Sequence, residues 1–208
     1  MSFWNTLPKP FVTLAPMADV TDPAFRRLIC ETGAPDVMWT EFVSADGLYH
    51  TREKKGMKDE ENPLVRDLLY TEEEHPIVAQ FFSGNPEMME YASRFAVERG
   101  FDGVDINMGC PDSSIEKQGA GAGHIQNPER AREVIRSAIK GAQGKPVSVK
   151  TRLGYNKMEY TEWLPEILKE DIAGLTLHMR IRKEMSKVPA HWELGHEIVA
   201  FCRKLRPD

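Results

Sequence analysis

Two spacings of apolar residues recur along the chain. Short apolar runs at residues 11–15, 37–40, 77–82, 103–106, 146–151 and 174–178 have the length of single strands. Between them, apolar residues fall three and four apart, as in Phe25/Leu28/Ile29, Met88/Ala92/Phe95 and Val134/Ile135/Ala138. That spacing puts one apolar stripe on a helix. The helical stretches share their end signals: Asp22-Pro23 with Gly33, Asn85-Pro86 with Gly100, and Asn127-Pro128 with Gly141. An Asx cap, a proline in the first turn and a glycine past the last turn satisfy the orphan backbone groups at helix ends.

Strands written as continuous apolar runs are expected to be buried on both faces of a parallel sheet. Six such strands, most followed by a helix and none carrying a dinucleotide fingerprint, predict an α/β fold of the TIM (β/α)8-barrel type. About six of the eight βα units are present. Residues 1–208 are expected to form one barrel domain that is incomplete at its C-terminal end, with the sixth helix at about residues 191–205. The charged stretch 51–71, with Lys54-Lys55 and Asp59-Glu60-Glu61, is expected to be a solvated excursion.

Composition narrows the class. A chain of 208 residues, 41% hydrophobic, can bury a sizeable core. Its apolar runs are far shorter than the ~20 residues that span a bilayer. The first ten residues lack the charged start and apolar middle of a signal peptide. Three widely spaced cysteines suggest no disulfide framework and fit a reducing cytoplasm. A net charge of -5 argues mildly against a large nucleic-acid footprint without excluding a local one.

Parallel strands share one carboxyl-end face, where barrel chemistry is done. The strand ends carry Pro16-Met17-Ala18, Glu41, Gln80, Asn107 with Cys110, Lys150 with Arg152, and His178 with Arg180. No paired carboxylates and no metal-ligand cluster appear; His191 and His196 lack zinc-helix spacing. What gathers is a set of amides, cations and an imidazole around a thiol, suited to a flat, polar, partly anionic cofactor. Cys110 lies between Gly109 and Pro111, which would hold it on a shaped loop. A lone cysteine is also often a small buried hydrophobe, and Cys30 and Cys202 keep that reading within amphipathic helices. Lys150 ends an apolar strand, where a charge needs a partner. A reduced flavin edge, a glutamate or solvent would serve. The run Gly119 to Gly123 does not open directly from a strand, so it reads as a mobile or closely packed loop rather than a phosphate cradle.

Four ordered segments, spanning about residues 14–192, resemble the motifs of the tRNA-dihydrouridine synthases. They are Ala15-Pro16-Met17-Ala18-Asp19-Val20-Thr21-Asp22-Pro23-Ala24-Phe25-Arg26, then Asn107-Met108-Gly109-Cys110-Pro111 with Gly119-Ala120-Gly121-Ala122. Val147-Ser148-Val149-Lys150-Thr151-Arg152-Leu153-Gly154 and Thr176-Leu177-His178-Met179-Arg180 complete the set. The resemblance implies an FMN-dependent barrel enzyme that reduces uridine in tRNA to 5,6-dihydrouridine with NADPH or NADH. Hydride reaches C6 of the flipped-out uracil and a proton reaches C5.

By the same resemblance Cys110 is the acid. Lys150, His178 and Gln80 bind the flavin ring or its polar edge, and the backbone of Pro16, Met17 and Ala18 packs against the ring. Asn107 and Arg152 lie beside flavin and uracil, and Arg180 contacts RNA. The family's FMN phosphate loops after strands seven and eight, and its C-terminal helical tRNA-binding domain, fall outside this chain. The expectation is therefore an N-terminal portion of a longer, cytoplasmic and monomeric protein that uses no metal. His124-Ile125 depart from the aliphatic residues the family more often has there. The alternatives are a flavin barrel that reduces a free pyrimidine, of dihydroorotate or dihydropyrimidine type, and an inactive barrel fragment.

Overall fold

The structure, a computed structural model, describes residues 2–207. In order, the chain forms α1 (Pro23–Gly33), β1 (Met38–Ser44), α2 (Ala45–Tyr49), α3 (Pro63–Arg66), β2 (Ile77–Phe82) and α4 (Pro86–Glu98). Then follow β3 (Gly103–Met108), α5 (Ser113–Glu116), α6 (Pro128–Gly141), β4 (Val147–Arg152), α7 (Tyr160–Leu168), β5 (Gly174–His178) and α8 (Gly195–Leu205). The caps form as the end signals require. Asp22 accepts from Phe25 N at 2.7 Å, Asn85 from Glu87 N at 3.0 Å and Asn127 from Arg130 N at 3.2 Å.

The five strands make one parallel sheet in sequence order, the wall of a partial (β/α) barrel. Side chains alternate across it. Ile77, Ala79, Phe81, Val104, Ile106, Met108, Val147 and Val149 share one core with Met89, Phe95, Val134, Ile135, Trp163 and Ile167 of the helices. Each such side chain contributes about 1.5–3 kcal/mol on burial. Where α6 ends against α4, a Cβ on Gly141 would stand 2.2 Å from the Glu90 carbonyl oxygen, so the approach depends on a bare backbone.

The other face of the sheet, the inside of the barrel, is built differently. Near the amino ends of the strands, Val37, Trp39 and Val78 pack with Phe3, Trp4 and Leu7. Trp4 lies 5.7 Å from Trp39 and 4.6 Å from Phe3, ring to ring. Gly103 and Gly174 would meet Phe3 and Trp4, respectively, if they carried a Cβ. Further along the strands the inward positions turn polar: Gln80, Asp105, Asn107, Ser148 and Lys150.

Three expectations are corrected. The strands are not apolar on both faces: on the inner one Gln80, Asp105, Asn107 and Ser148 hydrogen-bond one another. Residues 11–15 form no named strand. They meet Val37 at one isolated parallel bridge, with Leu14 N donating to Val37 O at 3.1 Å. The segment is largely exposed, with Val12 at 68%, and Pro16 cannot extend the ladder. The stretch 51–71 is only partly solvated. Asn62, Val65 and Leu68 are buried, and Arg52 joins Asp59 at 2.7 Å.

A buried ion pair anchors the end of that excursion. Arg26 Nε donates to Glu74 Oε2 at 2.5 Å, with both side chains fully buried. The same guanidinium donates to the Thr21 and Leu69 carbonyls, so α1 is tied to the approach to β2. Removing one member of such a pair strands a buried charge. We expect Arg26→Met to lower unfolding free energy by about 3–5 kcal/mol, read as a fall in the urea midpoint; a loss below about 1 kcal/mol would show that the Glu74 carboxylate finds water instead.

Candidate active site

The carboxyl half of the inner face carries a continuous polar relay. Asp105 is fully buried on β3. It accepts from Gln80 Nε2 on β2 at 2.6 Å and from Ser148 Oγ on β4. Asn107 Nδ2 donates to Gln80 Oε1 at 3.3 Å. Asn107 Oδ1 accepts from Gly109 N at 3.1 Å and from Cys110 N at 2.9 Å. A backbone N–H only donates and a carboxylate only accepts, so both amides are held in one orientation from the two ends of the relay.

Cys110 sits just beyond β3, half-buried. Its carbonyl accepts from Ala122 N at 2.9 Å. Gly121, at φ +58, would place a Cβ 2.6 Å from that carbonyl oxygen. The glycine run is thus a closely packed loop wrapped on the cysteine, not a phosphate cradle. His124 fastens the loop from behind: the ring is buried, and its Nε2 lies 3.1 Å from the Ser83 carbonyl at the end of β2. Burial pushes the Cys110 thiol above its ordinary pKa, opposed by the Asp112 backbone N–H and the Arg152 charge.

Lys150 lies beside Asn107 in the β3–β4 ladder and within electrostatic reach of Cys110. Its ammonium makes no hydrogen bond or ion pair with any described residue. Burial pulls its pKa down, and Asp105 is the largest opposing influence. His178, paired in the ladder with Arg152, has a buried Nδ1 with no hydrogen-bond partner. Burial, then the Arg152, Lys150 and Arg180 charges, lowers it to about 4, so the ring is neutral at pH 7.

Arg152 is more constrained than a free substrate contact. Its Nε donates to Gly109 O at 2.7 Å and its Nη1 to Met185 O at 3.1 Å and Ile181 O at 3.3 Å. It therefore clamps the loop after β3 to the loop after β5. Arg180 donates to Val188 O at 2.7 Å and remains half-buried. Arg182 forms an ion pair with Glu116 across the same two loops. Gln80, Asn107, Cys110, Lys150, Arg152 and His178 are thus gathered on adjoining strands. Pro16, Met17 and Ala18 stand apart beside β1, where Asp19 N donates to Glu41 and Met17 N to Thr21 Oγ1 at 3.0 Å; no hydrogen bond joins them to the gathered set among the described residues. Asp105 and Ser148 were not singled out as site residues. The signal was there, since polar residues two apart in a strand share a face.

A cavity of about 750 Å³ opens at the amino ends of β4 and β5 against α8, lined by Lys145, Gly174 and Cys202 among others. It lies at the other end of the strands from Cys110. Among the described residues no group of His, Cys, Asp or Glu is placed to hold a metal ion, and no helix is long and apolar enough to cross a membrane.

Fold and site together define a partial (β/α) barrel whose polar groups and thiol gather at the carboxyl ends of the strands. Residues 13–205 match the sequence model of the family described as dihydrouridine synthase. The chain is 47% identical over its full length to a protein named probable tRNA-dihydrouridine synthase 2 of Bacillus subtilis (strain 168). It is 44% identical to a probable tRNA-dihydrouridine synthase of Staphylococcus aureus (strain Mu50) and 42% to one of Staphylococcus epidermidis (strain RP62A), again over its full length. This chain belongs to the dihydrouridine synthase family. It spans 61% of the length of each of these relatives.

Two outcomes test the electrostatics. His124 is held neutral, its pKa lowered to about 4 by burial, against about 6.5 unfolded. Its contribution to stability is complete above about pH 6.5 and is lost as pH falls toward 4, up to about 3 kcal/mol in all. We expect His124→Leu to flatten its share of the decline in urea midpoint between pH 7 and 4.5; an unchanged profile would remove His124 as the cause. Cys110 should resist iodoacetamide until the pH exceeds the ordinary thiol range. Peptide mapping that finds rapid alkylation of Cys110 at pH 7 would contradict the burial argument.

Proposed function

We propose that this chain carries the flavin site and the acid of a tRNA-dihydrouridine synthase, which reduces the C5–C6 double bond of uridine in tRNA. The observation that carries this reading is the pair of unsatisfied groups facing the mouth of the site. The half-buried Lys150 ammonium makes no hydrogen bond or ion pair with a described residue, and the buried His178 Nδ1 has no hydrogen-bond partner. Buried polar groups are rarely left so. A flat ligand with an anionic, hydrogen-bonding edge would satisfy both, and the isoalloxazine ring of FMN has that chemistry. Lys150, His178 and Gln80 would hold the ring, with the backbone of Pro16 to Ala18 along its side.

When bound, FMN supplies hydride-transfer chemistry, with NADPH or NADH as the ultimate donor. The remaining work belongs to the protein. Reduction adds hydride at C6 and a proton at C5, and the carbon–carbon π bond is consumed. Cys110 holds that proton as S–H at neutral pH, which its raised pKa favours. The thiolate left after transfer faces the Asp112 N–H and the Arg152 and Lys150 charges, and water returns the proton. Asn107, locked by the relay, keeps the Cys110 backbone fixed during this exchange. A uridine removed from its stack loses a few kcal/mol, and Arg180, just beyond β5, would meet the RNA. The protein works in the cytoplasm, as a monomer when complete.

The test uses the chain with added FMN, NADPH and a tRNA transcript, and scores dihydrouridine by nucleoside mass spectrometry. We expect Cys110→Ala to keep flavin uptake and its reduction by NADPH while dihydrouridine formation falls about 10²–10⁴-fold. Unchanged turnover would end the acid role. Product from free uracil alone would favour a free-pyrimidine reductase, and failure to take up FMN would show that these 208 residues do not make a working flavin site.

A further inference from the structure

Asp105 is the one carboxylate on the inner face of β2–β4 that is wholly removed from solvent, and the reaction gives it no proton to move. The strands on either side donate to it, Gln80 from β2 and Ser148 from β4. A buried amide in its place would offer one acceptor oxygen to donors on both sides. The arrangement therefore asks for a carboxylate, and a buried carboxylate asks for a cation.

The cation available is Lys150. It sits two residues beyond Ser148 on β4, on the same face, opposite Asn107. The groups that act on it are Asp105 from β3, Arg152 from its own strand and Cys110 from the loop after β3, while His178 from β5 feels its charge in turn. Arg152 repels it, His178 is neutral and Cys110 is protonated. Burial pushes the Asp105 carboxyl up to about 6, so at pH 7 it is still mostly ionised and supplies the negative charge of the set. It acts without contact, since no hydrogen bond joins the two side chains, and so it leaves the ammonium free to meet a ligand.

We propose that Asp105 is a positioning residue, the fixed counter-charge that keeps the Lys150 side chain an ammonium aimed into the mouth of the site. The inference rests on the flavin reading above for the identity of what Lys150 meets. An ammonium at the flavin edge stabilises the anionic reduced form, so Asp105, although itself negative, would favour reduced flavin by maintaining the nearer positive charge.

The variant is Asp105→Asn, which removes the charge and keeps the shape, and two readouts are taken. In the ligand-free chain, Lys150 is titrated through the ¹³C shift of its Cε. We expect its proton affinity to fall at least tenfold in the variant; an unchanged titration overturns the proposal. In the chain with FMN, the affinity for reduced relative to oxidised flavin is expected to fall about tenfold, equivalent to about 30 mV in the two-electron midpoint potential. A rise instead would mean that Lys150 stays charged and Asp105 acts only as a background negative charge, which also overturns it. If no FMN binds to the parent chain but the Lys150 titration still shifts, the flavin reading fails and the counter-charge stands. Should Asp105→Asn not fold, Lys150→Met tests the same coupling from the other side. Linkage requires the Asp105 proton affinity, followed by its carboxyl ¹³C shift, to rise by the same factor, and no rise refutes the pairing.

Discussion

The Asp105 carboxylate draws hydrogen bonds from strands on both sides of β3, and the order of the inner face depends on it. Donors from β2 and β4 converge on its two oxygens, so those strands must keep one register relative to β3. A slip of one residue would turn every inward polar group toward the helices and every core residue toward the barrel interior. The hydrophobic core would tolerate many substitutions of similar volume, but this polar set permits one arrangement. From it the orientations of the Gln80 and Asn107 amides follow, and from those the seat of the loop that carries Cys110.

The same relay explains how a mobile type of sequence becomes a rigid site. Glycine-rich segments lose much conformational freedom on ordering. Here the run after Cys110 is held by Ala122 donating to the Cys110 carbonyl, by His124 against Ser83, and by the Arg152 clamp on Gly109. Each restraint comes from a different strand end. The thiol is therefore fixed by the wall as a whole, while the lysine and histidine opposite it remain unsatisfied and available.

Much of this was legible in the sequence. The βα rhythm, the Asx–Pro helix starts and the strand-end set of Gln80, Asn107, Cys110, Lys150, Arg152 and His178 could all be read from spacing and residue type. The first expected strand could not be judged, because residues 11–15 have a strand's composition but only one partner, Val37, for their ladder. The excursion at 51–71 was misjudged from its charge. Its buried members, Asn62, Val65 and Leu68, recur every third residue, a short repeat hidden among the charges that surround it. The Arg26–Glu74 pair joins residues 48 positions apart and leaves no local trace. Asp105 was visible as part of a polar run, but an aspartate inside an apolar strand carries no mark of which neighbours will satisfy it. The departure at His124 acquired its meaning only when the ring was found folded under the loop.

Phe3, Trp4 and Leu7 form an aromatic floor across the amino ends of the inner face. The amino end of the five-stranded wall is thus plugged by interleaved rings, and the inner groups that can exchange protons or meet a ligand are crowded toward the opposite rim.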